Sequence, residues 1–229
     1  MKCSNCQSSL VNNAVYCSYC GQSTTDLNRP VMLIAKEMLH ELLDIDNKLW
    51  ITLKTLITKP GKLTKEFSQG KRAKYTPPLR LYLVISIVFF ILFTGIYEVY
   101  GNSQNMASSM GEYYAKAMFV LFPVFALLIH VFFRKSFYIY NLVFSMHIHS
   151  VVYLCLIIIA PLEAFERTYP MLLFLQLPPV IYLIWYVFTA FKTVFDETWR
   201  LTLIKSSVIY LIYMGALGIV FDVVFKYIV

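Results

Sequence analysis

Three observations in the 229-residue chain predict an all-α polytopic membrane protein with five transmembrane helices and a small N-terminal zinc ribbon. The chain is 59% hydrophobic, more apolar surface than a soluble core of this size can hide. From Pro78 onward it carries five apolar runs, each near the roughly 20 residues that cross a hydrocarbon core. Ahead of them stand four cysteines in two close pairs, spaced C-x2-C-x10-C-x2-C. These divide the chain into a ribbon (1–23), a polar and basic segment (24–77) and a transmembrane domain (78–229).

The ribbon rests on Cys3, Cys6, Cys17 and Cys20. Each CxxC turn aims two thiolates at one point, and two such turns complete a tetrahedral site. Four thiolates close the coordination shell, so the zinc is structural, with no open position for water. A redox dithiol or iron is the alternative. About twenty residues build no core of their own, so the metal supplies the folding free energy. Gly21 after the second pair permits a tight turn, whereas Gln7 occupies the matching position after the first. The fifth cysteine, Cys155, lies in an apolar run.

Residues Ser23–Arg29 are a polar linker, and Pro30–Ile57 reads as an amphipathic helix. Val31, Ala35, Met38, Leu42, Leu49, Leu53 and Leu56 share one face, while Lys36, Glu41, Asp44 and Lys48 fall largely away from it. With this many charges it cannot span a bilayer; it lies in the inner interface, with Trp50 at headgroup depth, or docks on the bundle. His40 reads as a solvated surface histidine. Lys59-Pro60-Gly61 breaks the helix, and a short basic segment, Lys62–Gln69, follows. The junction Gly70–Arg80 then brings Lys71, Arg72, Lys74 and Arg80 against the first apolar run. Pro78 suits a helix's first turn, so the first span starts there. Tyr75 and Tyr82 fall at the headgroup level.

The spans are expected at Pro78–Val99, Ala115–Phe133, Phe137–Ala160, Met171–Phe191 and Ile204–Phe225. Pro123 and Pro178-Pro179 predict kinks in the second and fourth, or a fourth span starting at Pro178 after a re-entrant piece. Twelve Lys/Arg stand before or in the first turn of the first span, Arg80 being the last of them. With Arg134, Lys135, Lys192, Arg200 and Lys205 they place 17 cations on one side, against Lys116, Arg167 and Lys226 on the other. That asymmetry predicts a cytoplasmic N-terminus and an external C-terminus. Residues 1–30 contain no apolar h-region, which fits a cytosolic ribbon.

The density of the junction cations exceeds what orientation needs. Lys71, Arg72 and Arg80 are therefore candidate ligands for anionic lipid head groups or another phosphate-bearing ligand, with Gly70 letting the backbone approach it.

The motif elements Cys3, Cys6, Cys17, Cys20, Gly21, Gln22, Pro60, Gly61, Gly70, Lys71, Arg72, Tyr75, Pro78 and Arg80 together resemble an uncharacterised bacterial inner-membrane family, a domain of unknown function. The resemblance covers Cys3 to about Leu83 and reaches the later spans only as hydropathy. It implies a bacterial inner (cytoplasmic) membrane and no established activity. The five-span layout is also similar, in topology alone, to Yip1-type proteins.

Inside the spans, His130, His147 and His149 form a possible polar site. His147 and His149 are two apart and point to roughly opposite sides of a helix, so they do not readily share a metal. His130 can face either one for metal binding or proton relay; the plainer reading is interhelical hydrogen bonds between neutral imidazoles. Glu163, Glu166 and Arg167 read as an outer loop, Asp222 as interfacial, and Asp196, Glu197 and Arg200 as a cytoplasmic turn able to pair with the junction cations. There is no Walker loop, HExxH or serine nucleophile elbow, which argues against an enzyme. Lys2 is the only cation among residues 1–28, too few for a nucleic-acid partner. The expectation is a membrane-anchored interaction or scaffold protein, embedded in a bilayer with anionic lipids and binding a protein partner through its ribbon. The alternative is a small transporter or lipid-handling protein that uses the basic inner rim and the proline-broken helix. An enzyme of lipid or envelope metabolism, with the histidines as its site, is a third class.

Overall fold

The structure, a computed structural model, describes residues 7–11, 14, 16–19, 47–71, 74–100, 121–134, 136–166 and 169–227. The chain divides into two compact units, Met1–Asp44 and Ile45–Val229. Cys3, Cys6, Cys20, His40, Arg72, Lys116, Arg167 and the amphipathic stretch before residue 47 lie outside the described residues.

In the first unit Gln7 has φ 60°, a left-handed conformation at the position after Cys6 where a glycine is ordinarily favoured. Single-residue β-bridges occur at Ser9 and Tyr16, and Ser18 and Tyr19 form a turn. Cys17 is buried, at 2% exposure, with Sγ 3.3 Å from Ser8 Oγ.

The second unit is helical, with no strand among its described residues. Helix α1 (Asn47–Thr58) buries Leu49, Thr52 and Leu56, three to four residues apart, and leaves Trp50 exposed. That buried stripe turns α1 against the rest of the unit, and the Tyr182 hydroxyl donates to the Ile57 carbonyl, 2.8 Å. Pro60 and Gly61 then turn the chain. Gly61 has φ 76°, and a Cβ there would stand 2.8 Å from the Ala190 carbonyl oxygen and 3.0 Å from Thr193 Cβ. Only glycine satisfies both constraints.

Lys62–Ser68, read from the sequence only as a basic segment, is a helix, α2. Its C-terminus closes with Gly70 N–H donating to Phe67 O (3.0 Å) and Lys71 N–H to Glu66 O (2.9 Å), the two bonds of a Schellman cap. Gly70 has φ 79°, but a Cβ there would meet nothing within 4 Å. The cap's left-handed backbone by itself calls for the glycine.

Helix α3 (Pro78–Tyr100) begins at the proline, as expected. Helix α4 (Leu121–Phe132) follows, then α5 (Tyr138–Glu166), which is the central element. α5 packs on α3, on α2 and on α6 (Leu172–Phe195). Tyr153 of α5 stacks on Phe89 of α3 at 5.1 Å, and Phe144 meets Phe191 of α6 edge-on at 4.9 Å. α5 runs six residues past the predicted end at Ala160, through Pro161, so Glu163 and Glu166 stand on a helix and not in a loop; Gln176 Nε2 donates to Glu166 at 3.0 Å. α6 carries Pro178 and Pro179 in its interior, so no separate re-entrant piece precedes them. The missing N–H groups leave the carbonyls of Phe174 and Leu175 without their usual partners.

Helix α7 (Trp199–Tyr227) starts five residues before the predicted Ile204. The turn before it places Glu197 on Lys205, 2.6 Å, with Lys205 also 4.6 Å from the centre of the Phe133 ring. Glu197 is thus paired with Lys205 of α7. Among the described residues three helices, α5, α6 and α7, are long and apolar enough to cross a membrane; α3 and α4 contribute the shorter apolar stretches Pro78–Phe93 and Leu121–Phe132.

Candidate functional site

Polar groups gather where α1, α2 and the start of α3 cap one end of the bundle. α5 carries Asn141, Ser145, His147, His149 and Ser150, all buried, along its first half. Each histidine has its own partner. Asn141 Nδ2 lies 3.2 Å from His130 Nδ1. His149 Nδ1 donates to the Ser145 carbonyl at 2.8 Å, which leaves Nε2 to accept from the Tyr213 hydroxyl at 2.8 Å. His147 Nδ1 is 2.8 Å from Thr64 Oγ1 of α2. The three rings are thus bonded to three different elements, and the two-residue spacing sends His147 to the cap and His149 to α7. Among the described residues no cluster of three metal-ligating side chains occurs, three of the four ribbon cysteines lying outside them.

The cap is built from short polar links. Thr52 Oγ1 donates to the Lys48 carbonyl (2.6 Å) and accepts from the Thr76 backbone N–H (2.9 Å), tying the junction to α1. The Tyr75 hydroxyl donates to Glu66 and holds its carboxyl below its ordinary range, with Lys62 and Lys71 contributing. Burial, followed by that same bond, raises the Tyr75 hydroxyl. Lys62 Nζ lies 3.5 Å from Glu66.

Between these links a cavity of about 140 Å³ remains, lined by Thr52, Lys71, Tyr75, Thr76 and His147 among apolar neighbours. A smaller void, also lined by His147 with Leu56 and Tyr186, is only about 10 Å³, no more than one water. A second, open groove of about 390 Å³ runs along Lys59, Lys62, Lys65, Thr189 and Thr193. Of the sequence-predicted rim residues, Lys71 lines the cavity and Arg80 stands in the first turn of α3, partly exposed. The sequence reading missed Thr52, Thr64 and Thr76. A lone threonine carries no periodic signal, and only the tertiary packing makes these three neighbours.

The described residues thus define a helical protein of membrane type, closed at one end by a short helical cap. Within it, residues 46–90 match a domain family described as Protein of unknown function (DUF3667), a segment that runs from α1 through the cap into α3. No curated protein and no solved structure matches the chain.

Proposed function

We propose that the chain is a five-span protein of the bacterial inner membrane, with its ribbon and helical cap on the cytoplasmic side, and that the cap binds anionic lipid head groups. This makes it a small lipid-handling protein. One observation carries the reading: the cap is not filled, and its cavity reaches from Lys71 to the buried His147. Cations at this depth reach lipid phosphates, each contributing roughly 1 kcal/mol near an anionic surface. Lys71 is fixed at its backbone by the α2 cap, and Arg72 follows it directly. The basic excess on the inner side, 17 cations against 3, supports the cytoplasmic placement.

The ribbon supports a second role, docking of a protein partner. Cys3, Cys6, Cys17 and Cys20 would hold a structural zinc, which would supply the folding free energy of this unit. The left-handed Gln7 favours this, since a tight turn after Cys6 is what a metal knuckle requires even without glycine.

The test is Lys71→Gln with Arg72→Gln in the full chain. Both side chains are chosen to leave the remaining inner cations able to orient the first span. Anionic lipid co-purifying with the protein should fall several-fold at unchanged expression and topology. Undiminished anionic lipid would reduce the cluster to a topology signal.

A further inference from the structure

The cap cavity has the chemistry of a site for one particular group. Thr76 is 4% exposed and lines the cavity, yet its Oγ1 has no hydrogen-bond partner, while its backbone N–H is already committed to Thr52. A buried hydroxyl without a partner costs stability, so its retention here points to something that bonds it. His147 supplies a second donor. Thr64 differs from Thr52, Thr58 and Thr193, whose hydroxyls donate to the carbonyl one turn back: its hydroxyl is instead bonded to His147 Nδ1. His147 lines the cavity, and in the tautomer whose Nδ1 accepts from Thr64 the imidazole proton sits on Nε2. Lys71, exposed, stands at the mouth as a third donor with a full charge.

Among the described residues no acidic side chain lines this cavity, and the nearby Glu66 is engaged by Tyr75 and Lys62. Three donors without a facing carboxylate select an anion. Leu63, Phe67, Pro77 and Pro78 complete the wall, so the same cavity tolerates an apolar group beside the anion. Its volume of about 140 Å³ admits a phosphate group but not a whole phospholipid.

We propose that the cavity beneath the α2 cap is a phosphate-binding site, with Thr76 Oγ1, His147 Nε2 and Lys71 Nζ as donors. It deepens the head-group reading above and rests on it. The shared ligand chemistry is a phosphate carrying at least one ionised oxygen, from a lipid head group or from free phosphate.

The experiment is calorimetric titration of the detergent-solubilised full chain with three probes: inorganic phosphate, short-chain phosphatidic acid and phosphatidylcholine of the same chain length. The variants are Thr76→Val, which keeps the shape and removes the hydroxyl, and Thr76→Ser, which restores it. Binding of phosphatidic acid by the wild type is expected. Weakening by about tenfold in Thr76→Val, recovery in Thr76→Ser and no change for phosphatidylcholine should accompany it. Thermal stability without ligand should not fall in Thr76→Val, because that hydroxyl bonds nothing in the protein. Parallel binding of inorganic phosphate assigns a free-phosphate site; phosphatidic acid alone assigns a lipid head group. If Thr76→Val binds phosphatidic acid as the wild type does, while Lys71→Gln/Arg72→Gln lowers anionic lipid, the cavity proposal is overturned and the rim reading stands. If the wild type distinguishes no anionic probe from phosphatidylcholine, both are wrong.

Discussion

Two glycines in the cap look alike in the sequence and are required for different reasons. Gly61 has a left-handed backbone and also sits against Ala190 and Thr193 of α6, whereas Gly70 has the left-handed backbone and open space. Placing a Cβ in that conformation costs about 1–2 kcal/mol. Gly70→Ala should therefore lose about that much. Gly61→Ala should lose clearly more, about 3 kcal/mol or above, because the carbonyl 2.8 Å away is backbone and cannot swing aside. Thermal melts of the two variants in one detergent check the order; equal losses would remove the packing argument at Gly61. Gln7 shows the same conformational demand met by a residue that is not glycine. Zinc there should be about one equivalent per chain by metal analysis, as four-thiolate sites hold. A folded, reduced and metal-free preparation would exclude the zinc ribbon.

Among the elements, α2 matters beyond its seven residues, because it delivers Thr64 to His147, Glu66 to Tyr75 and the backbone of Lys71 to the cavity mouth. The Tyr75–Glu66 bond gives this cap a pH window. Glu66 is depressed in the folded protein, so its contribution is present above its ordinary value of 4.5 and fades as pH falls through the lower, folded value. Tyr75 is raised, so its contribution is present below its ordinary value of 10.0 and is lost as pH climbs through the folded value. The melting temperature of Tyr75→Phe should accordingly converge on that of the wild type at the acid end of the range and lie below it at neutral pH. A constant gap across the acid range would show that the bond is not what Tyr75 contributes. This helix was hidden in the sequence because seven residues display less than two turns of pattern. Its stop signal, Gly70 after a basic run, is visible in the sequence. The start of α3 was legible at Pro78, since a proline ring favours a first turn. The length of α5 was not, because Pro161 reads as a terminator and only packing carries the helix past it.

At the level of the whole molecule, apolar run length and charge asymmetry are legible without any structure, because a bilayer imposes both on the sequence. The polar spine of α5 is legible only in part. His147 and His149 stood out as ionisable groups in an apolar run, but their partners Thr64 and Tyr213 are 83 and 64 residues distant. The cavity proposed as a lipid site likewise forms only once the cap folds over the end of α5. Every functional proposal here requires that capped end to face the cytoplasm, with the chain crossing the membrane five times. Reporter fusions test this most directly. A periplasm-active reporter after Val229 should be active, and the same reporter near Ser136 should be silent. A silent reporter after Val229 with an active one near Ser136 would put the cap and its lysines on the outer face and contradict the account.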